Sequence, residues 1–148
     1  MKKRKYLAVI LILINSLVAI FFINCEKSKS LLTSNEYTMY NYVAYDSTEI
    51  KVAQGMLLLN FEDDIINGEW DIKAVGSAQN IGPQIGSGNL VGSYSSDSIW
   101  VELQPQMCDN NLQLKGRLKD NSLAGQWIYI SFIGPTNSGT FTARKISL

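Results

Sequence analysis

Side chains able to perform chemistry are few in this chain of 148 residues, which contains no His. The commonest general base and metal ligand is therefore absent, and with it the usual Ser and Cys catalytic triads. The carboxylates of Glu62, Asp63 and Asp64 could together bind a hard cation such as Ca²⁺. Their spacing does not match an EF-hand loop, and a solvated hairpin turn is the favoured interpretation. The sequence predicts no catalytic site, no metal and no cofactor.

A thiol, Cys108, lies in a polar stretch after Pro105. Without a His to act as base, a nucleophilic role for this thiol has little support. We therefore expect Cys108 to be buried as a small apolar residue.

The charge of the chain is unevenly distributed along its length. Four of the 13 basic residues lie at residues 2–5, so the remainder has 9 basic and 13 acidic residues, a net charge of −4. Nucleic-acid binding requires a basic patch, and a mildly acidic body predicts no nucleic-acid partner.

Residues 1–24 have the pattern of a targeting segment. Basic residues 2–5 are followed by an apolar run at residues 7–23, and Cys25 comes directly after Asn24. An apolar run that ends at Cys resembles a bacterial lipoprotein signal, although Phe22 and Asn24 replace the commoner Leu at −3 and small residue at −1. The resemblance implies that Cys25 becomes the mature N-terminus and carries the lipid. The protein would then be membrane-anchored in the cell envelope, with its body outside the cytoplasm.

The alternative for this segment is an uncleaved helix anchor. The run at residues 7–23, broken only by Asn15 and Ser16, has seventeen residues, the lower limit for spanning a bilayer, and the basic residues would remain cytoplasmic. Both alternatives place residues 26–148 outside the cytoplasm. In the first, residues 25–36 are the lipidated Cys and a polar tether, and residues 37–148 form the folded domain. Cys25 is free to form a disulfide with Cys108 only in the second.

A five-residue pattern recurs along the domain: apolar, any, Gly, any, bulky apolar. It occurs at residues 66–70, 90–94, 114–118 and 123–127, with a weaker copy at 137–141. In a β-strand, the first, third and fifth residues share one face, so the pattern predicts a sheet with one dry and one wet surface. Gly between two bulky residues favours a tightly coiled sheet in which the aromatic covers the gap.

The domain is predicted to be all-β, an eight-stranded antiparallel meander that forms an up-and-down β-barrel, with no helix after the signal segment. The predicted strands are 38–45, 54–61, 67–74, 88–95, 98–104, 111–118, 122–130 and 138–145, and residues 134–138 are a turn. The Gly-rich loop at 76–88 is either functional or a simple crossing between strands.

An eight-stranded barrel is either filled by side chains or holds one small ligand. The alternation predicts sixteen bulky inward residues: Leu57, Leu59, Phe61, Trp70, Ile72, Leu90, Tyr94, Ile99, Val101, Leu103, Leu112, Leu114, Leu118, Trp127, Tyr129 and Phe141. Such a number indicates a mostly filled interior. If a ligand cavity exists, its predicted lining is Trp70, Tyr94, Trp127 and Tyr129, whereas Trp100 is expected on the outer face.

The Gly68-Glu69-Trp70 triplet and the Leu-x-Gly-x-aromatic repeats are similar to those of the calycin-like barrels, the lipocalins and avidins. The resemblance implies a barrel at residues 38–145. In lipocalins Gly-x-Trp opens the first strand, whereas here earlier strands precede it, so no binding residue follows from the resemblance.

Two functions remain after these exclusions. The first is a membrane-anchored extracytoplasmic lipoprotein whose barrel is a non-enzymatic structural or protein-interaction module. The alternative is a binder of a small apolar ligand inside a lipocalin-like barrel.

Overall fold

The structure, a computed structural model, describes residues 36–76 and 81–147. These residues form eight β-strands: β1 Thr38–Tyr45, β2 Lys51–Glu62, β3 Ile65–Ala74, β4 Gly86–Ser95, β5 Ser98–Glu102, β6 Asn110–Lys119, β7 Ser122–Ser131 and β8 Gly134–Lys145. Apolar and polar residues alternate along these segments, which suits a sheet that is buried on one side.

The strands pair antiparallel in sequence order, and β8 pairs back with β1 to close the barrel. The predicted all-β, eight-stranded up-and-down barrel is therefore confirmed. Because successive strands run in opposite directions, the β1–β2, β3–β4, β5–β6 and β7–β8 connections all lie at one end, which we call the loop end. The two-residue turns at 63–64, 96–97 and 120–121 lie at the opposite hairpin end, where the chain also enters β1.

The glycines of the repeated pattern allow neighbouring strands to approach closely. A Cβ atom added at Gly68 would collide with the carbonyl oxygen of Leu58, and one added at Gly125 would collide with that of Lys115. No larger residue fits these positions without moving a strand, so the glycines permit a close approach of neighbouring strands. The predicted coiling of the sheet stays a prediction.

The barrel interior is a continuous apolar core. Of the sixteen predicted inward residues, twelve are buried, and the other four, Phe61, Tyr94, Leu118 and Tyr129, are half-buried and pack against the core. Tyr40, Tyr42 and Ala44 of β1 also face inward. The filled interior that the sequence predicts is therefore what the structure contains.

The last strand begins earlier than predicted. Residues 134–138 were expected to be a turn, but β8 starts at Gly134 and the turn is formed by Phe132 and Ile133. Gly134 adopts a φ of 100°, which closes the turn at a position that disfavours other residues. Pro135 follows in the strand, where it pairs with Ile130 of β7.

The prediction for Cys108 is wrong. The thiol is exposed in the β5–β6 loop, because Leu103 rather than Cys108 fills the core beside this loop. Residues 1–24, Cys25 and all but the last residue of the tether lie outside the described residues. The described residues form no helix long and apolar enough to cross a membrane.

Candidate functional site

The loop end of the barrel is plugged by a polar side chain from the β3–β4 loop. Gln84 is fully buried, and its Oε1 accepts a hydrogen bond of 3.1 Å from the Tyr42 hydroxyl. Its Nε2 donates to the carbonyl oxygen of Ile81 at 2.7 Å. Burial raises the pKa of Tyr42 far above its ordinary value, so this hydroxyl is a permanent donor.

Further contacts fix the loop around Gln84. Gln104 Nε2 donates to the carbonyl oxygen of Pro83 at 2.9 Å, and Ile81 is buried beside the core. Gly82 lies against the ring of Tyr129 so closely that an added Cβ would overlap the ring carbons. Residues 81–84 therefore close the mouth of the barrel. The sequence does not decide whether this loop is functional or a simple crossing between strands, and no sequence pattern indicates that Gln84 enters the core.

The four aromatic residues predicted to line a ligand cavity make separate structural contacts. Trp70 Nε1 donates to the Leu103 carbonyl at 2.7 Å, and Trp127 Nε1 donates to the Tyr45 carbonyl at 2.8 Å. Both indoles are therefore buried with their N–H groups satisfied.

The two tyrosines of this set are half-buried at other places in the barrel. Tyr94 packs edge-on against Phe61 with ring centroids 5.7 Å apart. The Tyr129 hydroxyl donates to Asn110 Oδ1 at 3.2 Å. A common cavity lined by all four aromatic residues stays a prediction.

The loop end carries exposed apolar side chains on each of its four connections. We call Ile50, Ile85, Met107, Phe132 and Ile133 the loop-end residues. Phe132 and Ile133 are each 86% exposed at the tip of the β7–β8 hairpin. Exposed apolar clusters on soluble domains mark interaction sites, whereas scattered single residues do not.

The charges on these connections are of one sign. Asp46, Glu49 and Asp109 lie in them, and the segments 46–50, 75–85, 103–109 and 132–133 contain no Lys or Arg. Asp46 Oδ1 accepts hydrogen bonds from the Thr48 hydroxyl at 2.8 Å and from the Ile50 amide at 2.9 Å. These bonds, the first most strongly, lower the pKa of Asp46 and fix the loop that presents Ile50. The loop end is thus both apolar and acidic.

The barrel wall is split between β4 and β5. The register pairs these strands at residues 91–95 and 98–102 alone, so residues 86–90 have no register partner on the β5 side. Beyond β5 the chain follows β6 instead, since the Leu103 amide donates to the Leu112 carbonyl at 3.0 Å. A cleft of about 260 Å³ results, which we call the wall cleft. It is lined by Trp70, Ser87, Gly88, Asn89, Leu103, Gln104, Pro105, Gln106 and Met107.

A second groove, of about 440 Å³, lies on the other side of residues 87–89. Its remaining lining comes from the inward-facing Trp70 and from residues on the outer faces of β1, β2 and β3: Met39, Met56, Leu58, Glu69 and Asp71. Trp70 is therefore the one residue of the predicted ligand set that borders both of these openings.

Trp100 lies on the outer face, as predicted, and is 45% exposed. The ammonium group of Lys115 lies 5.8 Å from the centre of its ring, in the range of a cation–π contact. Within residues 36–76 and 81–147, no group of three or more Cys, Asp or Glu side chains is placed to hold a metal ion.

Comparison with known proteins identifies no family for this chain. No family model matches it, and no curated protein matches it. A crystal structure of a rhizavidin–biotin complex is similar to the barrel, with a TM-score of 0.49 and 14% sequence identity over 75% of this chain and 100% of the other. The biotin belongs to that complex, and no residue of this chain is assigned from it.

Proposed function

We propose that the chain is a membrane-anchored lipoprotein of the cell envelope, with its barrel outside the cytoplasm acting as a non-enzymatic protein-interaction module. The observation that carries this proposal is the exposed pair Phe132 and Ile133, on an end of the barrel that also presents apolar residues from three other loops. Anchoring rests on the apolar run before Cys25.

Binding through the hairpin tip has a physical driving force. Burying a Phe or Ile side chain that is otherwise exposed contributes about 1.5–3 kcal/mol. Two neighbouring residues of this kind, each 86% exposed, form a compact anchor that fits an apolar pocket on a partner.

The charges at the loop end favour a protein over an anionic membrane surface as the partner. Asp46, Glu49 and Asp109 lie in the same connections as the apolar residues, and these connections contain no Lys or Arg, although Lys51 begins β2 directly after Ile50. Anionic headgroups would be repelled, whereas a pocket with a basic rim would be complementary. The proposed partner is therefore a protein with an apolar pocket bordered by Lys or Arg.

Photo-crosslinking in intact cells tests the interaction. A photoreactive phenylalanine analogue replaces Phe132, and a second variant carries it at Ile65, which is also exposed but lies at the hairpin end. We expect a discrete protein adduct from position 132 that is absent from position 65. The purified partner should then bind the native chain more weakly as salt rises. Adducts with lipid alone, or the same adducts from both positions, would overturn the protein-interaction proposal.

The anchor is tested separately by the intact mass of the membrane-extracted protein. Lipoprotein processing predicts a mass equal to residues 25–148 plus acyl groups, which a Cys25→Ala variant does not give. An unprocessed mass starting at Met1 without lipid would instead favour the helix anchor.

The alternative function, binding of a small apolar ligand, is favoured by one observation. Trp70 borders both the wall cleft and the groove of about 440 Å³, and the groove is large enough for a small molecule. A Trp70-dependent change in fluorescence on adding such a ligand, with no adduct from position 132, would favour this alternative.

A further inference from the structure

We infer that the unpaired edge of β4, at residues 86–90, binds an extended peptide segment of a partner by strand addition. This inference rests on the proposed function, because it gives the proposed protein partner a second binding surface on the same barrel. The backbone of this edge is paired with β3 on one side and has no register partner on the other. Unpaired strand N–H and C=O groups are the template that an added strand uses.

The barrel has a second strand edge of this kind, and the sequence protects it. Residues 134–139 of β8 pair with β7 but extend beyond the last β1–β8 pair, at Tyr45 and Thr140. Pro135 has no N–H to offer, and the Ser138 amide donates to Asn137 Oδ1 at 2.9 Å. The register also shifts between Tyr129 and Ile130. Pro, a bulge and local capping are the devices with which proteins block edge pairing.

The β4 edge has none of these devices within residues 86–90. Its sequence is Gly-Ser-Gly-Asn-Leu, without Pro or Lys, and its register with β3 is continuous. Residues 86–89 are exposed, and the two glycines leave no side chain to keep another backbone away. Among the described residues, 36–76 and 81–147, the β8 edge is blocked and the β4 edge is open, which indicates that the β4 edge is used.

The wall cleft beside this edge defines the peptide that fits. Five strand residues span about 17 Å, which matches a peptide segment of four or five residues. The lining combines the apolar side chains of Trp70 and Met107 with the amide side chains of Asn89, Gln104 and Gln106. None of the residues that line the cleft is charged. The segment is thus an extended peptide with uncharged side chains, one of which is apolar and enters the cleft.

The experiment uses the full chain in detergent and a defined probe, an end-capped eight-residue peptide of alternating Val and Thr with a fluorescent label. Fluorescence anisotropy measures its binding, and amide hydrogen exchange locates it. We expect slower exchange at residues 86–90 and unchanged exchange at residues 134–139.

A matched pair of variants tests which edge is used. The double variant Ser87→Lys and Asn89→Lys places charges on the β4 edge, and binding should weaken by about tenfold or more. The control Ser138→Lys places a charge at an exposed position of the β8 edge and should leave binding unchanged.

Two results would overturn the inference: no protection at residues 86–90 at saturating peptide, or equal weakening by the control. Such a result alongside a discrete adduct from Phe132 would leave the proposed function standing, with the hairpin tip alone holding the partner. If position 132 gives no discrete protein adduct while the peptide slows exchange at residues 86–90, the strand-addition site is supported and binding through the hairpin tip is not.

Discussion

The buried hydrogen bond between Tyr42 and Gln84 permits a quantitative test of how the barrel is closed. The substitution Tyr42→Phe removes one hydroxyl and leaves the ring packed against Phe141, whose centroid lies 5.8 Å away. Gln84 Oε1 then stays in the apolar interior without its donor. A buried acceptor left unsatisfied costs about 1–3 kcal/mol of the free energy of unfolding.

That cost is large enough to measure. For a domain of this size, 1 kcal/mol corresponds to a change in melting temperature of about 4 °C or more. Tyr42→Phe should therefore melt about 4–12 °C below the native chain, and its denaturant midpoint should fall with no change in m-value. Tyr94→Phe is the control, because Tyr94 is half-buried and packs on Phe61. We expect its stability to stay within about 0.5 kcal/mol of the native value.

A double-mutant cycle isolates the hydrogen bond itself. Gln84→Met keeps the length of the side chain and leaves the Tyr42 hydroxyl without its acceptor, so it is also expected to be destabilising. Combining it with Tyr42→Phe removes both partners, which should cost less than the sum of the single changes by about 0.5–3 kcal/mol. Additive effects, or a Tyr42→Phe variant as stable as Tyr94→Phe, would refute the idea that this hydrogen bond holds residues 81–84 in the mouth of the barrel.

Four other outcomes follow from the structure. Burial raises the pKa of Tyr42 in the folded state above its ordinary 10.0, so only the unfolded chain loses this proton as the pH rises above 10. The contribution of Tyr42 to the free energy of unfolding is therefore fully present below pH 10 and should fall by about 1.4 kcal/mol per pH unit above it. Alkaline denaturation titrations should show a shallower fall for Tyr42→Phe. Gly125→Ala should cost about 3 kcal/mol or more in denaturant unfolding, since its Cβ collides with the Lys115 carbonyl, and wild-type stability would contradict the role of the repeat. Pro135→Val should expose a strand edge and promote self-association in sedimentation experiments, and a monomeric variant would show that Pro135 does not protect it. Cys108 should react with a thiol reagent in the native state as fast as in denaturant, and slow labelling would contradict its exposure.

The fold could be predicted because apolar and polar residues alternate clearly in strands that have one solvent-exposed face. In β3 the charged residues Glu69, Asp71 and Lys73 alternate with Trp70 and Ile72, which fixes the strand and its buried side together. The same logic predicted turns at residues 62–64, 95–97 and 119–121, and the structure has two-residue turns at 63–64, 96–97 and 120–121.

The remaining features depend on contacts that no local pattern encodes. In β1, Tyr residues occupy both faces, so the sequence alone did not decide that Tyr40 and Tyr42 point inward. Gln84 is polar, and patterning rules place such a residue outside; its burial is possible because Tyr42 and Ile81 satisfy its amide. The wall cleft could not be predicted from the sequence for a similar reason. It exists only because β5 has five residues and lies beside β4, which has ten.

The closing pair of strands has a consequence for the rate at which the chain folds. All other strand pairs are hairpins or neighbours in sequence, whereas Val43 must find Thr142 across almost the whole domain. Loop-closure entropy makes that pairing the slow, late event. The Ile146 amide donates to the Met39 carbonyl at 2.8 Å, so the two ends of the barrel chain are adjacent. A circular permutant that links residue 147 to residue 36 and opens at residues 132–133 would turn the β1–β8 pairing into a hairpin and make β7–β8 the long-range pair. The late event in folding should therefore move from β1–β8 to β7–β8.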